Sequence, residues 1–296
     1  MRTDVALLVN PTAGRGRAAR WVVPVAARLR AAGREVVELV GGSAAEAVDL
    51  GCQAVADGFR TLVALGGDGL VHAAVQAVAT RPVTLGIVAL GTGNDIARGL
   101  GVPRGDPRTA VDLILAGHAV QIDAGRVGER WFASVLASGF DSQVNERANA
   151  MRGQVGRARY TLAMGAELRR LRATPYTITI DGRRLDLDAV LVAVANTTSY
   201  GAGMRIAPTA DPRDGMLDVT VVTALSRTEL VRVFPRVYSG SFVRHAAVQR
   251  YRGQTVQLEA HGVVAYADGE RLGPLPLTAA VAPGALRVAV RGQGAP

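Results

Sequence analysis

Lysine is absent from this 296-residue chain, so all 34 basic side chains are arginine. Beside the abundant Ala, Gly and Val, that skew points to a GC-rich coding bias rather than to a mechanism. Cysteine occurs once, at Cys52, which excludes an internal disulfide and fits a reducing compartment. Aromatics are scarce, at 4% of the residues. Long apolar runs are missing too: nothing approaches the roughly 20 residues of a membrane span. The opening "MRTDVALLVNP" carries too short an apolar stretch for a signal-peptide core. The expectation is a cytoplasmic protein, peripheral at a membrane. What the chain has is a 49% hydrophobic content, ample for one large or two modest domains, and a net charge of +9, which favours anionic partners.

Strand-like and helix-like segments alternate over the first 123 residues. "DVALLVNP" (4–11), "EVVELV" (35–40), "TLVALGG" (61–67) and "VTLGIVAL" (83–90) read as strands. Between and after them, 16–33, 43–58, 69–80, 94–101 and 107–117 read as helices. Pro24 interrupts the first, as a kink or as its true first turn. Ser43 with Glu46 forms a capping box on the second. Continuously apolar strands suit a parallel sheet covered on both faces, so 1–124 reads as a doubly wound α/β domain. Beyond it, 125–296 reads as a mainly antiparallel β-sandwich domain with little helix, whose last strand can return to the first domain. Within it, 156–172 looks helical, with Tyr160, Met164, Leu168 and Leu171 on one stripe.

Three glycine-rich turns, "NPTAGRG", "GGDG" and "GTGND", each follow a strand. Ligands of such sheets sit beyond the carboxyl ends of the strands, so the three turns should converge there. Glycines let backbone N–H groups approach an anion, and a following helix adds its positive end. The Walker ending and the G-x-G-x-x-G spacing are both missing. Asp68, alone among three glycines, then has a use that a turn does not supply: orienting Mg²⁺ through water or accepting a hydroxyl proton. His72, His118, His245 and His261 lack zinc-like spacing, and no conventional nucleophile set is evident.

"NPTAGRGRA", "LGGDGLVHAAV", "LGTGNDIARGLG", "DAGRV", "GFDSQV", "APTADPRDGMLDV" and "ADGE" occur in an order that resembles the bacterial diacylglycerol kinase and lipid kinase family, related to sphingosine and ceramide kinases. The resemblance implies an NAD kinase/diacylglycerol kinase-like fold. It also implies ATP-dependent transfer of a γ-phosphoryl group to a lipid hydroxyl, in a cleft between the domains. By that likeness Asn10, Pro11, Thr12, Ala13, Gly14, Gly67, Asp68, Gly69, Leu70, Val71, His72 and Thr92 hold the nucleotide. Asp68, Asp95 and Asp123 form an acidic network around Mg²⁺, and Asp268 and Glu270 are the general-base candidates. Asp214, with backbone oxygens of Asp211 and Met216, stands where relatives hold a structural magnesium. Asp214 and Asp268 each precede a glycine, so a plain turn is the competing reading for both.

The chain departs from the family where Thr and Asn usually follow "GGDG": it has Leu70 and His72. An NAD-type kinase, or a non-catalytic lipid- or nucleotide-binding protein, are the alternatives. The expected partners are a lipid substrate at a membrane surface and anionic lipids met by the arginines of helix 156–172, with no nucleic acid. A homodimer is compatible with the chain.

Overall fold

A computed structural model describes residues 5–11, 13, 16–151 and 157–292, with side chains of 157–161 left aside. Thr12, Gly14, Arg15 and Arg152 lie outside the described residues, as do the side chains of Arg157, Arg159 and Tyr160. In the first half, β1 (Val5–Val9), β2 (Val36–Val40), β3 (Thr61–Gly66) and β4 (Thr84–Ala89) pair in parallel in the order β2-β1-β3-β4. Helices α1 (Arg17–Ala31), α2 (Ala44–Ala56), α3 (Asp68–Val78), α4 (Asp95–Gly99) and α5 (Pro107–Leu115) cover them.

Successive strand residues point to opposite faces, which is why the inner strands β1, β3 and β4 are apolar on both, whereas the edge strand β2 carries Glu38 and is largely exposed. Ala6, Leu8, Leu62, Ala64, Leu85 and Ile87 share one core with Ala47 and Ala54 of α2 and Val71 and Val75 of α3. Val5, Leu7, Val9, Val63, Leu65 and Val88 share the other with Val25 and Leu29 of α1 and Val111 and Ile114 of α5. A fully buried leucine of this kind is worth roughly 2 kcal/mol. Helix α1 continues past Pro24 from Arg17 to Ala31, neither starting nor ending there. The ring sits on the exposed face, while Ala18, Val25, Ala26 and Leu29 are buried. Core packing therefore outweighs one lost hydrogen bond.

The second half supplies β5 (Ala119–Val127), β6 (Arg130–Phe132), β7 (Val135–Gly139), β8 (Thr174–Ile180), β9 (Arg183–Ala195), β10 (Leu217–Thr223), β11 (Val248–Gly253), β12 (Thr255–Glu259), β13 (Val264–Ala267), β14 (Glu270–Pro274) and β15 (Leu277–Ala289). Pairing among them is antiparallel. The fold is thus an N-terminal α/β unit followed by a β-sandwich. Strand β15 pairs with β12 near its start and runs parallel to β4 at its end, so the last strand belongs to both sheets. The helix expected over 156–172 is present as α7 (Arg157–Arg169), whereas the expectation of little other helix in this half is corrected by α6 (Phe140–Ala150), α8 (Arg227–Val233) and two 3-10 turns, Phe234–Val237 and Ser241–Arg244. Helices α6 and α7 are held by tertiary packing. Ala163 of α7 is buried against Val144 and Ala148 of α6, and Leu171 just past α7 packs onto the β9 side.

Candidate active site

The turns after β1, β3 and β4 meet at one edge of the parallel sheet, around a cavity of about 490 Å³. Asn10, Ala13, Gly67, Asp68, Gly69, Leu70, Gly91, Thr92 and Gly93 line it. A fourth turn joins them, Gly41-Gly42-Ser43 after β2. Sequence reasoning saw only the helix cap in that turn. Ser43 Oγ does accept the Glu46 N–H at 3.2 Å, but the Glu46 carboxylate accepts from Gly42 N, at 2.7 Å, which fixes the turn as well as the helix. The starts of α2 and α3 thus face a common space, the arrangement that suits an anion.

Two backbones touch where the turns converge. A Cβ on Gly91 would stand 2.6 Å from the Cα of Gly67, so only glycine fits there. Arg17, on the first turn of α1, donates to the carbonyls of Leu90 and Gly91 at 3.1 and 3.4 Å and holds the third turn from outside. Asp68 does the same from within. Its Oδ2 accepts from Asn94 N at 2.6 Å, and its Oδ1 from Asp95 N and Ile96 N at 2.7 and 3.3 Å. Asp68 therefore caps α4 across the cavity floor, and "GGDG" does not shape itself by glycine alone. Burial, then the nearby Asp95 charge, raise the Asp68 carboxyl above its usual value despite those three donors.

The remaining expected residues divide. Val71 and His72 do not face the cavity: Val71 is buried in the core, and His72 Nδ1 meets Asp268 Oδ2 at 3.2 Å. Pro11 does not line the cavity either. Asp95 accepts from Ala202 N and Gly203 N, at 2.7 and 2.9 Å, and so fastens the loop after β9 to the α/β unit. Asp123 is set apart from Asp68 and Asp95. Its two oxygens accept from Gly215 N at 2.7 Å and Gly284 N at 2.8 Å, so the expected three-carboxylate network is not assembled. Among the described residues, no three His, Cys, Asp or Glu side chains gather as a metal site.

The "DGMLD" loop also departs from its expected role. Asp214 is ion-paired with Arg252 and accepts from Met216 N at 3.0 Å, while Asp211 accepts from Arg213 at 3.2 Å. A guanidinium already neutralises the one carboxylate a dication would need, so these residues, as arranged, do not fit a structural magnesium.

Of the two base candidates, Asp268 stands in the lining of the cavity between the two halves and is also tied into structure. It occupies the two-residue turn between β13 and β14 at φ +52°, before Gly269 at +88°. Positive φ at both positions is what the tight hairpin turn requires. Its side chain is 0% exposed and accepts from Ala133 N and Ser134 N at 2.9 and 2.8 Å, besides His72. Glu270, two residues on, lines the cavity, and its Oε1 lies 3.2 Å from where a Cβ on Gly69 would sit. Its side chain carries no hydrogen bond or ion pair among the described residues, while its backbone pairs with Ala267.

Beyond Asp68, Thr92 and Gly93 a second cavity of about 480 Å³ opens between the two halves, walled by Val135, Ala137, Val144, Met164, Tyr200 and Phe234. Asp141 and Tyr200 stand on the wall it shares with a narrower apolar cavity of about 90 Å³ under α8. Burial pushes the Asp141 carboxyl up to about 6, with a hydrogen bond from Tyr200 opposing it. Neither residue stood out in the sequence: "GFD" marked a family position, and Tyr200 had no motif. A roomier groove, about 710 Å³, runs along β8, β9 and β12, but its Asp186, Asp188 and Glu259 would repel phosphates.

Residues 4–127 match the family model described as diacylglycerol kinase catalytic domain, and 134–290 match the YegS C-terminal NAD kinase beta sandwich-like domain. A diacylglycerol kinase of Mycobacterium tuberculosis is 43% identical over 290 residues, covering 96% of this chain and 94% of its own. The chain belongs to the bacterial diacylglycerol kinase-like lipid kinase family. Within that family, a diacylglycerol kinase of Bacillus subtilis is 28% identical over 275 residues, covering 91% of this chain and 90% of its own. A crystal structure of a Bacillus anthracis diacylglycerol kinase aligns over 98% of this chain and 97% of its own, with TM-score 0.75 and 22% identity. An Archaeoglobus fulgidus NAD kinase solved with ATP aligns over 97% of this chain and 93% of its own, with TM-score 0.55 and 11% identity. Those two likenesses concern the fold.

Proposed function

We propose that the protein transfers the γ-phosphoryl group of ATP to the hydroxyl of a diacylglycerol-like lipid. The observation that carries this reading is continuity. The glycine-lined cavity and the apolar cleft share Asp68, Thr92 and Gly93, so a phosphate donor and an amphiphilic acceptor would meet at one point. Backbone N–H groups of the four turns would take the phosphates, and Leu70 would face the donor with a side chain that offers no hydroxyl. Magnesium, arriving with the nucleotide, would neutralise phosphate charge. Asp68 and Asp95 already accept backbone donors, which leaves them as supports of the loop that faces it.

Glu270 is the base in this reading. It would take the lipid hydroxyl proton as the new O–P bond forms and the bond to the β-phosphate oxygen breaks, releasing ADP. The test supplies ATP and Mg²⁺ with 1,2-diacylglycerol, with NAD, or with neither, and follows phosphate transfer by mass spectrometry. Diacylglycerol-dependent turnover is expected, and Glu270→Gln should lower kcat by about 10²- to 10⁴-fold with KM for ATP little changed. Phosphorylation of NAD instead would overturn the reading.

A further inference from the structure

The segment 226–246 is unlike the rest of the β-sandwich half. Helix α8 buries none of its residues, although Leu230, Val231 and Val233 make up nearly half of it. Val231 is 55% exposed, and Tyr238, in the turn that follows, is 51% exposed. Arg227, Arg232, Arg236 and Arg244 are all exposed along the same segment, and none forms a salt bridge among the described residues. Its one acid, Glu229, is held by the Ser226 cap, accepting from Ser226 N at 2.8 Å. The inner side of the segment is apolar as well. Leu230, Val233, Phe234, Val237 and Phe242 line the cavity beneath α8, and Phe234 and Tyr238 reach the cleft that Asp68 and Thr92 also line.

We infer that α8 and the two 3-10 turns form the surface that docks on an anionic lipid bilayer. Exposed apolar side chains ringed by unpaired arginines match a headgroup layer, with Val231 and Tyr238 entering the interface and the guanidiniums meeting lipid phosphates. A docked bilayer would lie against the side of the cleft that Phe234 and Tyr238 form, on the route by which a lipid would reach Asp68. That last point rests on the lipid-kinase reading; docking itself does not.

Sedimentation with two vesicle preparations tests the surface: phosphatidylcholine alone, and phosphatidylcholine with phosphatidylglycerol. The parent protein should bind the anionic vesicles and leave the neutral ones. Arg232→Glu with Arg236→Glu should weaken that binding at least about tenfold, because charge reversal replaces attraction by repulsion within a Debye length. Val231→Asp alone should weaken it without touching an arginine. All variants should keep the parental melting temperature, and turnover on a short-chain, soluble acceptor should be unchanged. Failure of that turnover in the parent would count against the kinase reading and leave docking standing. Unchanged vesicle binding in the double variant would overturn the inference. So would loss confined to Arg169→Glu, Arg170→Glu and Arg172→Glu, which would assign docking to the end of α7 and the residues after it. A dimer in light scattering that Val231→Asp breaks, with vesicle binding unaffected, would mark the face as covered by a second copy and also overturn it.

Discussion

Two aspartates show how position decides what a carboxylate does. Asp68 and Asp141 are both half-buried and both shifted upward, but Asp68 sits under three backbone donors, whereas Asp141 has Tyr200. The folded protein holds the Asp141 proton up to about pH 6, while the unfolded chain releases it near the ordinary aspartate value of 3.8. Between those values the folded state binds more protons, so this group makes stability fall as pH rises through the window, and level off above it. Asp141→Asn should therefore stabilise the protein at pH 7–8 by about 2–3 kcal/mol and flatten its melting temperature between pH 4 and 6. Melting curves across pH check this; a parental pH profile in the variant would place the shift elsewhere.

At the scale of elements, the cleft is a contact between turns more than a set of side chains. The close approach of Gly91 to Gly67 fixes how far the third turn stands from the second. Gly91→Ala should cost about 1–3 kcal/mol, because a methyl group there pushes the two turns apart, and on the proposed function it should also raise KM for ATP. A crowded turn that kept its KM would separate turn spacing from nucleotide binding. The turns themselves were legible in the sequence, since glycine runs after apolar runs have few other meanings. What sequence could not give was partnership across distance. Asp268 reads like a base in "ADGE", yet Ala133 and Ser134, about half the chain away, consume its oxygens. His72 reads like a nucleotide contact in place of the usual Asn, yet it turns inward to that same aspartate. Asp214 reads like a metal ligand, and Arg252, on β11, takes it. Local spacing reveals which residues share a turn. It does not reveal which donors a fold brings to them.

The whole molecule depends on how its two halves are joined. Strand β15 passes from β12 to β4, and its pairing with β5 slips between Ala282 and Leu286. Gly284 lies in that irregular stretch at φ +62°, and Gly215, before β10, at +70°. Asp123 on β5 accepts from both N–H groups and is only 3% exposed, so one carboxylate clamps the bulge and the "DGMLD" loop to the strand that leaves the α/β unit. The sequence marked Asp123 for an ion; the fold employs it as the anion that two turns require. Asp123→Ala would leave two buried donors unmet and open space at the joint. The expected loss is about 2–4 kcal/mol, or roughly 3–6 °C in melting temperature for a chain of this size. Adding Mg²⁺ should not restore it, because the missing partner is a hydrogen-bond acceptor and not a ligand sphere. Calorimetry of the parent and the variant, each with Mg²⁺ and with a chelator, measures both quantities. A parental melting temperature in the variant would remove the clamp, and a Mg²⁺-dependent rescue would return Asp123 to the metal.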